Sequence, residues 1–412
     1  LPDDFRLHRH IGDMAANLAA RHGFREMTPP VFEFTDVFSR TLGETSDVVT
    51  KEMYTFDDRG GDSITLRPEF TAGIARAFMS NGLAQEAPLK FFARGPVFRH
   101  ERPQKGRYRQ FHQFGVETYG IDGPDIDLEV ILLSARLWKA FGIEKHVTLQ
   151  VNSLGSNEAR QAYRDTLIEY LKARADKLDE ESLRRLETNP LRVLDSKNPD
   201  VQAAIADAPS LLDHLDEASK AHFDVLCERL TQAGIHFEVN PRLVRGLDYY
   251  NRTVFEWVTE SLGAQGTVCA GGRYDGLVEQ LGGKATPAVG FAMGIERLVL
   301  LLTTLNEDAQ ETSAADVYVT AMGDEAQGYA VQVAEHLRDT LPHVRVMMHC
   351  GGGNFKKQLK RADKTGAQIA LLLGSQEMQA RQVGVKPLRD GQEQQTVAFD
   401  DLSATLADLL AK

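Results

Sequence analysis

The chain has 412 residues, of which 42% are hydrophobic and 26% charged, and its formal net charge at pH 7 is −12. This length predicts two or three domains with cores of their own, and the acidic balance argues against indiscriminate nucleic-acid binding without excluding local basic patches. No apolar run approaches the roughly 20 residues that span a membrane, and the charged opening LPDDFRLHRH is unlike a secretory signal peptide. The three cysteines are isolated, which predicts a reducing, cytoplasmic location and argues against a structural zinc site.

The N-terminal part of the sequence predicts helices and antiparallel strands. Phe5 to His22 has apolar residues at helical spacing and predicts an amphipathic helix. Met53 to Phe56 and Ser63 to Leu66 predict a hairpin. Glu69 follows Pro68 at the start of the next predicted helix, so its carboxylate either caps that helix or belongs to a site.

The stretch from Phe91 to Gly120 predicts two strands joined by an arginine-rich loop, because a proline and a glycine interrupt the ladder between them. Side chains alternate along a strand, so Gln113 and Glu117 share one face on either side of Gly115. This face is too polar for a core and suits the floor of a polar pocket. An exposed hairpin with a solvated basic loop explains this segment equally well.

The segment from Ser156 to Gly234 is rich in Glu, Arg, Ala and Leu at helical spacing and has almost no strand signals. We therefore expect a helical insertion between two strands of one sheet, and a spacer without function is the alternative. The later segment Gly271 to Gly276 is not a dinucleotide-binding fingerprint, because GxGxxG after a strand is absent.

Three small residues, Gly290, Ala292 and Gly294, share one face of a short predicted strand and leave space for a flat ligand close to the backbone. Arg297 lies in the first turn of the following predicted helix, where a cation opposes the helix dipole at a cost of a few tenths to about 1 kcal/mol. An unfavourable charge beside an open face points to an anionic ligand, and an ordinary salt bridge is the alternative.

The C-terminal part predicts a separate small α/β domain after a polar linker. Its Gly351 to Gly353 run is not a phosphate-binding loop, because GK[ST] does not follow. A basic helical stripe comes next and is a candidate phosphate-backbone contact or simply a solvated face; it consists of Lys356, Lys357, Lys360, Arg361 and Lys364.

Three blocks in this order resemble the motifs of class II aminoacyl-tRNA synthetases: Phe98 to Glu101 (FRHE), Arg245 to Tyr250 (RGLDYY) and Gly290 to Arg297. The middle block resembles the histidine-specific signature of bacterial-type histidyl-tRNA synthetases, and the likeness covers nearly the whole chain. It implies an α+β fold: a class II antiparallel sheet flanked by helices, with an all-α insertion and a C-terminal α/β anticodon-binding domain. The sequence departs from the family by starting at the first helix, without the usual preceding strand region, and by Phe70, where many bacterial relatives have glycine.

The resemblance also implies a division of the chain. Its parts are a catalytic core with motifs 1 and 2 (1–155), a helical insertion (156–236), the rest of the core with the histidine signature and motif 3 (237–305), a linker (306–314) and an anticodon-binding domain (315–412). The first motif, Phe5 to Pro30, would build a homodimer interface. The insertion would clamp the acceptor stem of the tRNA.

The activity that the resemblance implies is that of a histidine–tRNA ligase, which joins L-histidine to tRNA(His) with ATP and Mg²⁺ through a histidyl-adenylate. The carboxylate of the substrate is the nucleophile, so the protein must supply positioning and positive charge. The implied catalytic residues are Arg99, Arg245 and Arg297. The implied ATP-binding residues are Arg99, Glu101, Arg107, Gly290, Ala292, Gly294 and Arg297.

The resemblance further implies a histidine pocket and a contact for the tRNA acceptor end. The pocket residues are Glu69, Thr71, Gln113, Glu117, Tyr249, Tyr250 and Tyr274. The acceptor-end residues are Arg102 and Gln104. Neutral imidazole has one donor and one acceptor, so Glu117 can accept from one ring nitrogen while the hydroxyl of Tyr250 donates to the other.

Two other functions compete with the ligase. A catalytically silent paralogue would act as a histidine-sensing regulatory subunit, but such proteins typically lose the arginine-bearing signature and the C-terminal domain, which this chain keeps. A sensor of uncharged tRNA would be fused to a kinase, and the sequence has no kinase motif.

Overall fold

The computed structural model describes residues 1–43, 46–196, 198–305, 313–389, 391 and 393–411. These residues form two compact units that divide between residues 307 and 308. Most of the predicted linker, residues 306–312, lies outside the described residues. No helix in the described ranges is long and apolar enough to cross a membrane.

The first unit is a mixed α and β structure. Its helices are α1 (Pro2–Arg21), α2 (Thr35–Leu42), α3 (Thr71–Ser80), α4 (Pro124–Ala140), α5 (Asn157–Lys172), α6 (Glu180–Thr188), α7 (Pro199–Ala204), α8 (Glu217–Gln232), α9 (Leu277–Gln280) and α10 (Ile295–Leu305). Its strands are β1 (Arg25–Glu26), β2 (Phe32–Phe34), β3 (Tyr54–Asp57), β4 (Ser63–Leu66), β5 (Leu89–Phe98), β6 (Gln110–Tyr119), β7 (Thr148–Ser153), β8 (Phe237–Val239), β9 (Asn251–Val258), β10 (Thr267–Arg273) and β11 (Ala288–Gly294).

Within the described residues, the main sheet has the strand order β1-β5-β6-β11-β10-β9-β7-β8. Its interior pairs are antiparallel, whereas the edge pairs β1 with β5 and β7 with β8 are parallel. The predicted antiparallel sheet flanked by helices is therefore confirmed. A smaller antiparallel sheet has the order β2-β4-β3.

Strand alternation places the core on one face of the main sheet and polar groups on the other. Phe114 and Val116 of β6 are buried in a hydrophobic cluster with Ile11 of α1, Val130 of α4 and Leu298 of α10. The intervening residues of β6 point to the opposite face, where the candidate site lies.

Among the described residues, the segment between β7 and β8 contains the four α-helices α5 to α8. Each begins at a side chain that accepts a hydrogen bond from a backbone N–H of the first turn, and such a cap contributes about 1 kcal/mol. The caps are Ser156, Asp179, Asn198 and Asp216. The composition of this segment thus agrees with an all-helical insertion into the sheet.

The second unit is a small α/β domain. Its helices are α11 (Asp324–Thr340), α12 (Phe355–Lys364), α13 (Ser375–Ala380) and α14 (Leu402–Leu410). Its strands are β12 (Val317–Ala321), β13 (Val346–Met348), β14 (Ile369–Leu373), β15 (Gln382–Pro387) and β16 (Gln395–Ala398), in the sheet order β13-β12-β14-β15-β16. Strand β12 pairs in parallel with β13 and β14, whereas β15 pairs antiparallel with both β14 and β16.

Candidate active site

The floor of the site is the polar face of β6. Gln113 pairs with Gly95 of β5 and Gly294 of β11, and Glu117 pairs with Gly290. Only 8% of Gln113 and 1% of Glu117 is exposed, so this strand is not part of a solvated ribbon. The small residues on the neighbouring strands leave room above the sheet for the longer side chains of β6.

Glu117 is a buried carboxylate that is held by two hydroxyl groups. Thr71 Oγ1 donates to Glu117 Oε1 at 2.7 Å, and the Tyr274 hydroxyl donates to Oε2. Burial raises the pKa of Glu117 to about 8, because no full charge compensates for the lost hydration. Glu117 is not among the residues that line the cavity, but both of its hydrogen-bond donors, Thr71 and Tyr274, are.

Glu69 lies at the N-terminus of α3. Its Oε2 accepts from the backbone N–H of Thr71 at 2.6 Å and its Oε1 from that of Ala72 at 2.9 Å. The helix-capping alternative is thus seen in the structure. The same carboxylate also lines the cavity, and burial raises its pKa.

A cavity of about 240 Å³ lies above this floor. Many of the residues that the sequence predicted for histidine and ATP line it, namely Glu69, Thr71, Arg99, Glu101, Arg107, Gln113, Arg245, Tyr249, Tyr250, Tyr274, Gly290, Ala292, Gly294 and Arg297. Arg102 and Gln104 lie in the loop between β5 and β6, and Gln104 forms a bridge with Arg107 there. The predicted ligand residues are therefore brought together, and the predicted acceptor-end residues stand apart from the cavity wall.

Three guanidinium groups meet at one side of the cavity. Arg99 Nε donates to the backbone oxygen of Pro68 at 3.0 Å, and its guanidinium lies 5.5 Å from the centre of the Phe111 ring. Burial, followed by repulsion from Arg107 and Arg99, lowers the pKa of Arg297. The Nε atoms of Arg107 and Arg297 are buried without a hydrogen-bond partner among the described residues. Such a cluster favours an anion.

Arg245 lies beside a carboxylate and two aromatic rings. Its Nη1 pairs with Glu256 Oε1, and its guanidinium lies 5.6 Å from the centre of the Tyr250 ring. Burial lowers the pKa of Arg245, but Glu256 together with Tyr250 and Tyr249 outweighs burial, so the net shift is upward. Within the described part of the chain, its buried Nε has no partner. Arg245 is thus permanently charged and has donor capacity left.

The small-residue face of β11 is only partly open. A Cβ at Gly290 would overlap the Val116 backbone oxygen and Glu117 Oε2 and would lie 2.7 Å from the Tyr274 hydroxyl oxygen, so protein atoms fill that space. A Cβ at Gly294 would come no closer than 3.7 Å to its nearest neighbour, Arg297 Cβ. Gly290 thus lines the cavity with protein atoms close beside it, whereas the space at Gly294 is open, and the flat ligand on this face stays a prediction.

Two groups of side chains near the cavity could hold a cation. Glu101 lines the cavity and accepts from Arg107 Nη1 at 3.1 Å. His8, His112 and Glu296 have potential ligand atoms within 4.8 Å of one another. Glu296 accepts hydrogen bonds from both histidine rings and from the His112 backbone, which accounts for their closeness.

Comparison with known proteins extends over both units. The family model described as "Histidyl-tRNA synthetase" matches residues 1–298, and that described as "Anticodon binding domain" matches residues 316–409. The chain belongs to the histidyl-tRNA synthetase family. The apo histidyl-tRNA synthetase of S. aureus is 33% identical, with a TM-score of 0.77, and the match covers 98% of this chain and 97% of that one.

Two more distant structures share the histidyl-tRNA synthetase fold. The enzyme from Nostoc sp. PCC 7120 is 22% identical, with a TM-score of 0.74 and coverage of 100% of this chain and 97% of that one. A protein from Bacillus halodurans C, described as "ATP phosphoribosyltransferase regulatory subunit/histidyl-tRNA synthetase", is also 22% identical, with a TM-score of 0.64 and coverage of 91% and 96%.

Sequence reasoning did not identify two residues that contact the arginines of this histidyl-tRNA synthetase site. Glu256 lies on β9, pairs with Arg245 and accepts from Thr267 Oγ1 at 2.9 Å. Phe111, which the alternation placed on the correct face, supports the Arg99 guanidinium. An isolated carboxylate in a strand gives no signal of its own, because its partner lies on a different segment of the chain.

Phe70, the departure from the family pattern, packs away from the cavity lining. It is 2% exposed, and the guanidinium of Arg67 lies 4.6 Å from its ring centre. Arg67 in turn donates to the backbone oxygens of Pro29 and Pro96. The large ring therefore belongs to a structural cluster around Arg67.

Proposed function

We propose that this chain ligates L-histidine to tRNA(His) in an ATP-dependent reaction through histidyl-adenylate. The observation that carries the proposal is one cavity that combines buried, incompletely partnered arginines with a buried carboxylate and polar acceptors. The arginines suit a nucleoside triphosphate, and the carboxylate and the hydrogen-bond acceptors suit a small amino acid. Family membership supports both halves of this assignment.

In the first step, a carboxylate oxygen of histidine attacks the α-phosphorus of ATP, and the bond to the pyrophosphate leaving group breaks. Arg99 and Arg245 would neutralise charge on the two sides of the α-phosphate, and Arg297 would hold the outer phosphates. A guanidinium serves this role because it remains ionised and offers planar paired donors. The protein would accelerate the step by positioning and by charges fixed in advance.

Recognition of histidine would use the opposite side of the cavity. The unpartnered buried Oε1 of Gln113 and the carboxylate of Glu69 would accept from the α-amino group. Glu117 keeps acceptor capacity beyond its bonds from Thr71 and Tyr274, because a carboxylate has about four lone-pair positions. We propose that it accepts from one imidazole nitrogen and that the Tyr250 hydroxyl donates to the other.

Mg²⁺ would accompany ATP, and we propose Glu101 as its protein ligand. Burial is the main cause of the raised pKa of Glu52. The charge of Arg99 opposes this shift, and the charge of the nearby Glu101 adds to it. Two carboxylates therefore lie near the arginine cluster, which suits a hard divalent cation beside phosphates. The ion would neutralise phosphate charge when bound.

In the second step, histidine would pass from the adenylate to the 3′ end of the tRNA. Arg102 and Gln104 in the loop between β5 and β6 are our candidates for contacts with the acceptor end. The basic residues of α12 are candidates for contacts with the anticodon arm, because they are all exposed in a domain that matches the anticodon-binding family; they are Lys356, Lys357, Lys360, Arg361 and Lys364.

We propose a homodimer, and an exposed aromatic face supports it. Phe32 and Phe34 of β2 and Phe56 of β3 are 55%, 59% and 48% exposed, and Phe34 and Phe56 both pair with Ile64 of the intervening strand. Contiguous exposed aromatic surface of this kind is typical of protein interfaces. The domain boundaries and the cytoplasmic location given above remain predictions.

Charging of a tRNA(His) transcript with labelled histidine tests the proposed function. The wild-type chain should form an ester-linked product that depends on ATP, and other amino acids should not replace histidine. A regulatory subunit that only senses histidine would bind it without charging tRNA, and that result would overturn the proposal.

A further inference from the structure

The segment from Leu243 to Tyr250, called here the signature loop, belongs to no helix or strand and presents two different sides. Arg245, Leu247 and Tyr249 line the cavity. Gly246 and Asp248, which alternate with them, contact the helical insertion instead. The shape of the pocket wall thus depends on groups that are far away along the chain.

Asp248 is held between the insertion and the end of α2. Asn189, directly after α6, donates from Nδ2 to Asp248 Oδ1 at 2.9 Å. The backbone N–H of Asp248 donates to the Leu42 oxygen at 3.3 Å, and a Cβ at Gly43 would overlap Asp248 Oδ2. Gly43 has a φ of 90°, so it is suited to this position by conformation as well as by size.

Two arginines of the insertion reach the backbone of the same loop. Arg160 of α5 donates from Nη1 to the Tyr250 oxygen at 2.5 Å. Arg192 lies so close to Gly246 that a Cβ there would come within 2.5 Å of its Nη1. Arg192 also pairs with Asp47, at 3.6 Å, on the segment that follows α2. The insertion therefore touches the signature loop at three of its residues.

We propose that the helical insertion holds the signature loop in its histidine-binding shape through Asn189 and Arg160, which are positioning residues for histidine activation. Arg160 fixes the backbone of Tyr250, and Asn189 fixes Asp248 two residues earlier. A loop without regular structure needs such external bonds, because a displacement of about 1 Å in a reactive site can cost about 10²-fold in rate. This inference rests on the proposed function, since histidine is the ligand of that wall.

A matched pair of variants separates this role from general stabilisation of the insertion. Asn198 donates to Asp179 Oδ2 at 2.8 Å and caps α7, and among the described residues it has no hydrogen bond to the signature loop. Histidine-dependent ATP–pyrophosphate exchange and thermal melting should be measured for Asn189→Ala and Asn198→Ala. We expect Asn189→Ala to raise the KM for histidine about 10-fold and to change the KM for ATP less than about twofold, as for loss of a binding contact. Asn198→Ala should lower the melting temperature and leave both KM values within about twofold.

Two further measurements test the route of the effect. When Asp248 is already replaced by alanine, adding Asn189→Ala should raise the KM for histidine by a further factor of less than about two. The hydrogen-bond partner of Asn189 is then already absent. Arg160→Lys, which retains a donor, should lose less histidine affinity than Arg160→Met. Equal KM increases for Asn189→Ala and Asn198→Ala, or a full additional increase in the Asp248→Ala background, would overturn the inference. An inactive wild-type chain would instead overturn the proposed function.

Discussion

Two buried carboxylates in the first unit have similar burial and opposite surroundings. Asp127 of α4 is fully buried, and Arg273 and His222 both contact it. Burial raises its pKa, but the His222 hydrogen bond and the Arg273 charge outweigh burial and lower the pKa to about 2. Glu117 has only hydroxyl partners, and its pKa rises to about 8.

The arginines of these two regions differ in the same way. Every side-chain nitrogen of Arg273 has a partner, since it bonds Asp127, Asp275 and the backbone oxygens of Ile121 and Gly123. Arg245 in the cavity has a buried Nε without a partner in the described part of the chain. A complete internal network indicates a structural role, whereas incomplete pairing leaves capacity for a ligand.

The largest effect should come from breaking the complete network. We expect Arg273→Met to lower the free energy of unfolding by about 3–5 kcal/mol, because Asp127 would remain buried without its cation. Urea unfolding followed by tryptophan fluorescence measures this in the first unit, since Trp138 and Trp257 both lie there.

Arg40→Met is the matched control for Arg273→Met. Arg40 pairs with Asp36 on the surface, where both side chains are more than 60% exposed. Such pairs contribute about 0–1 kcal/mol. A similar small loss in both variants would show that the Asp127 network is not the structural element that we infer.

The next largest effect should come from Arg245, the cavity arginine whose hydrogen bonding is incomplete. Arg245→Ala should lower kcat for pyrophosphate exchange by about 10²-fold or more, because its charge acts where negative charge develops in the transition state. The KM for histidine should change much less. An unchanged turnover number would rule out this role for Arg245.

Glu117→Ala and Glu117→Gln should raise the KM for histidine by about 10- to 100-fold, because the imidazole N–H would be buried without its acceptor. The KM for ATP should stay within about twofold, because the proposed role of Glu117 is to bind the imidazole and not the phosphates. Steady-state exchange at varied concentrations of each substrate measures both constants. If both KM values rise equally, Glu117 is a structural residue like Asp127.

The smallest effect should be a difference between the wild type and Glu117→Gln, both without ligand, in how the free energy of unfolding depends on pH. The folded pKa of Glu117 is about 8, above its ordinary value of 4.5, so the folded chain retains a proton that the unfolded chain has released. Its contribution to stability is therefore present below about pH 4.5 and is lost as the pH rises towards 8. Between pH 5 and 8 the wild type should lose at least about 1 kcal/mol more unfolding free energy than the variant. Parallel pH profiles would contradict the raised pKa.

The parts of this structure that follow from local pattern were predictable from the sequence. Strand alternation alone put Gln113 and Glu117 on one face of β6, and cap residues such as Ser156 mark the start of the insertion helices. The family resemblance then gave the order of the motifs and the fold of both units.

The parts that depend on distant partners were not predictable. The pairing of Arg245 with Glu256 and that of Asp248 with Asn189 join segments that no periodicity relates. The filled space at Gly290 is a similar case, because Glu117 and Tyr274 converge there from β6 and from the end of β10. Small size indicated a close approach at this glycine, but it did not indicate which group approaches.

Exchange of labelled pyrophosphate into ATP tests most directly whether the cavity beside Arg245 and Glu117 is an activation site for histidine. We expect exchange by the wild type with histidine, none with the other amino acids, and a loss of about 10²-fold in Arg245→Ala. Exchange that does not need histidine, or that Arg245→Ala retains at the wild-type rate, would contradict this function of the cavity.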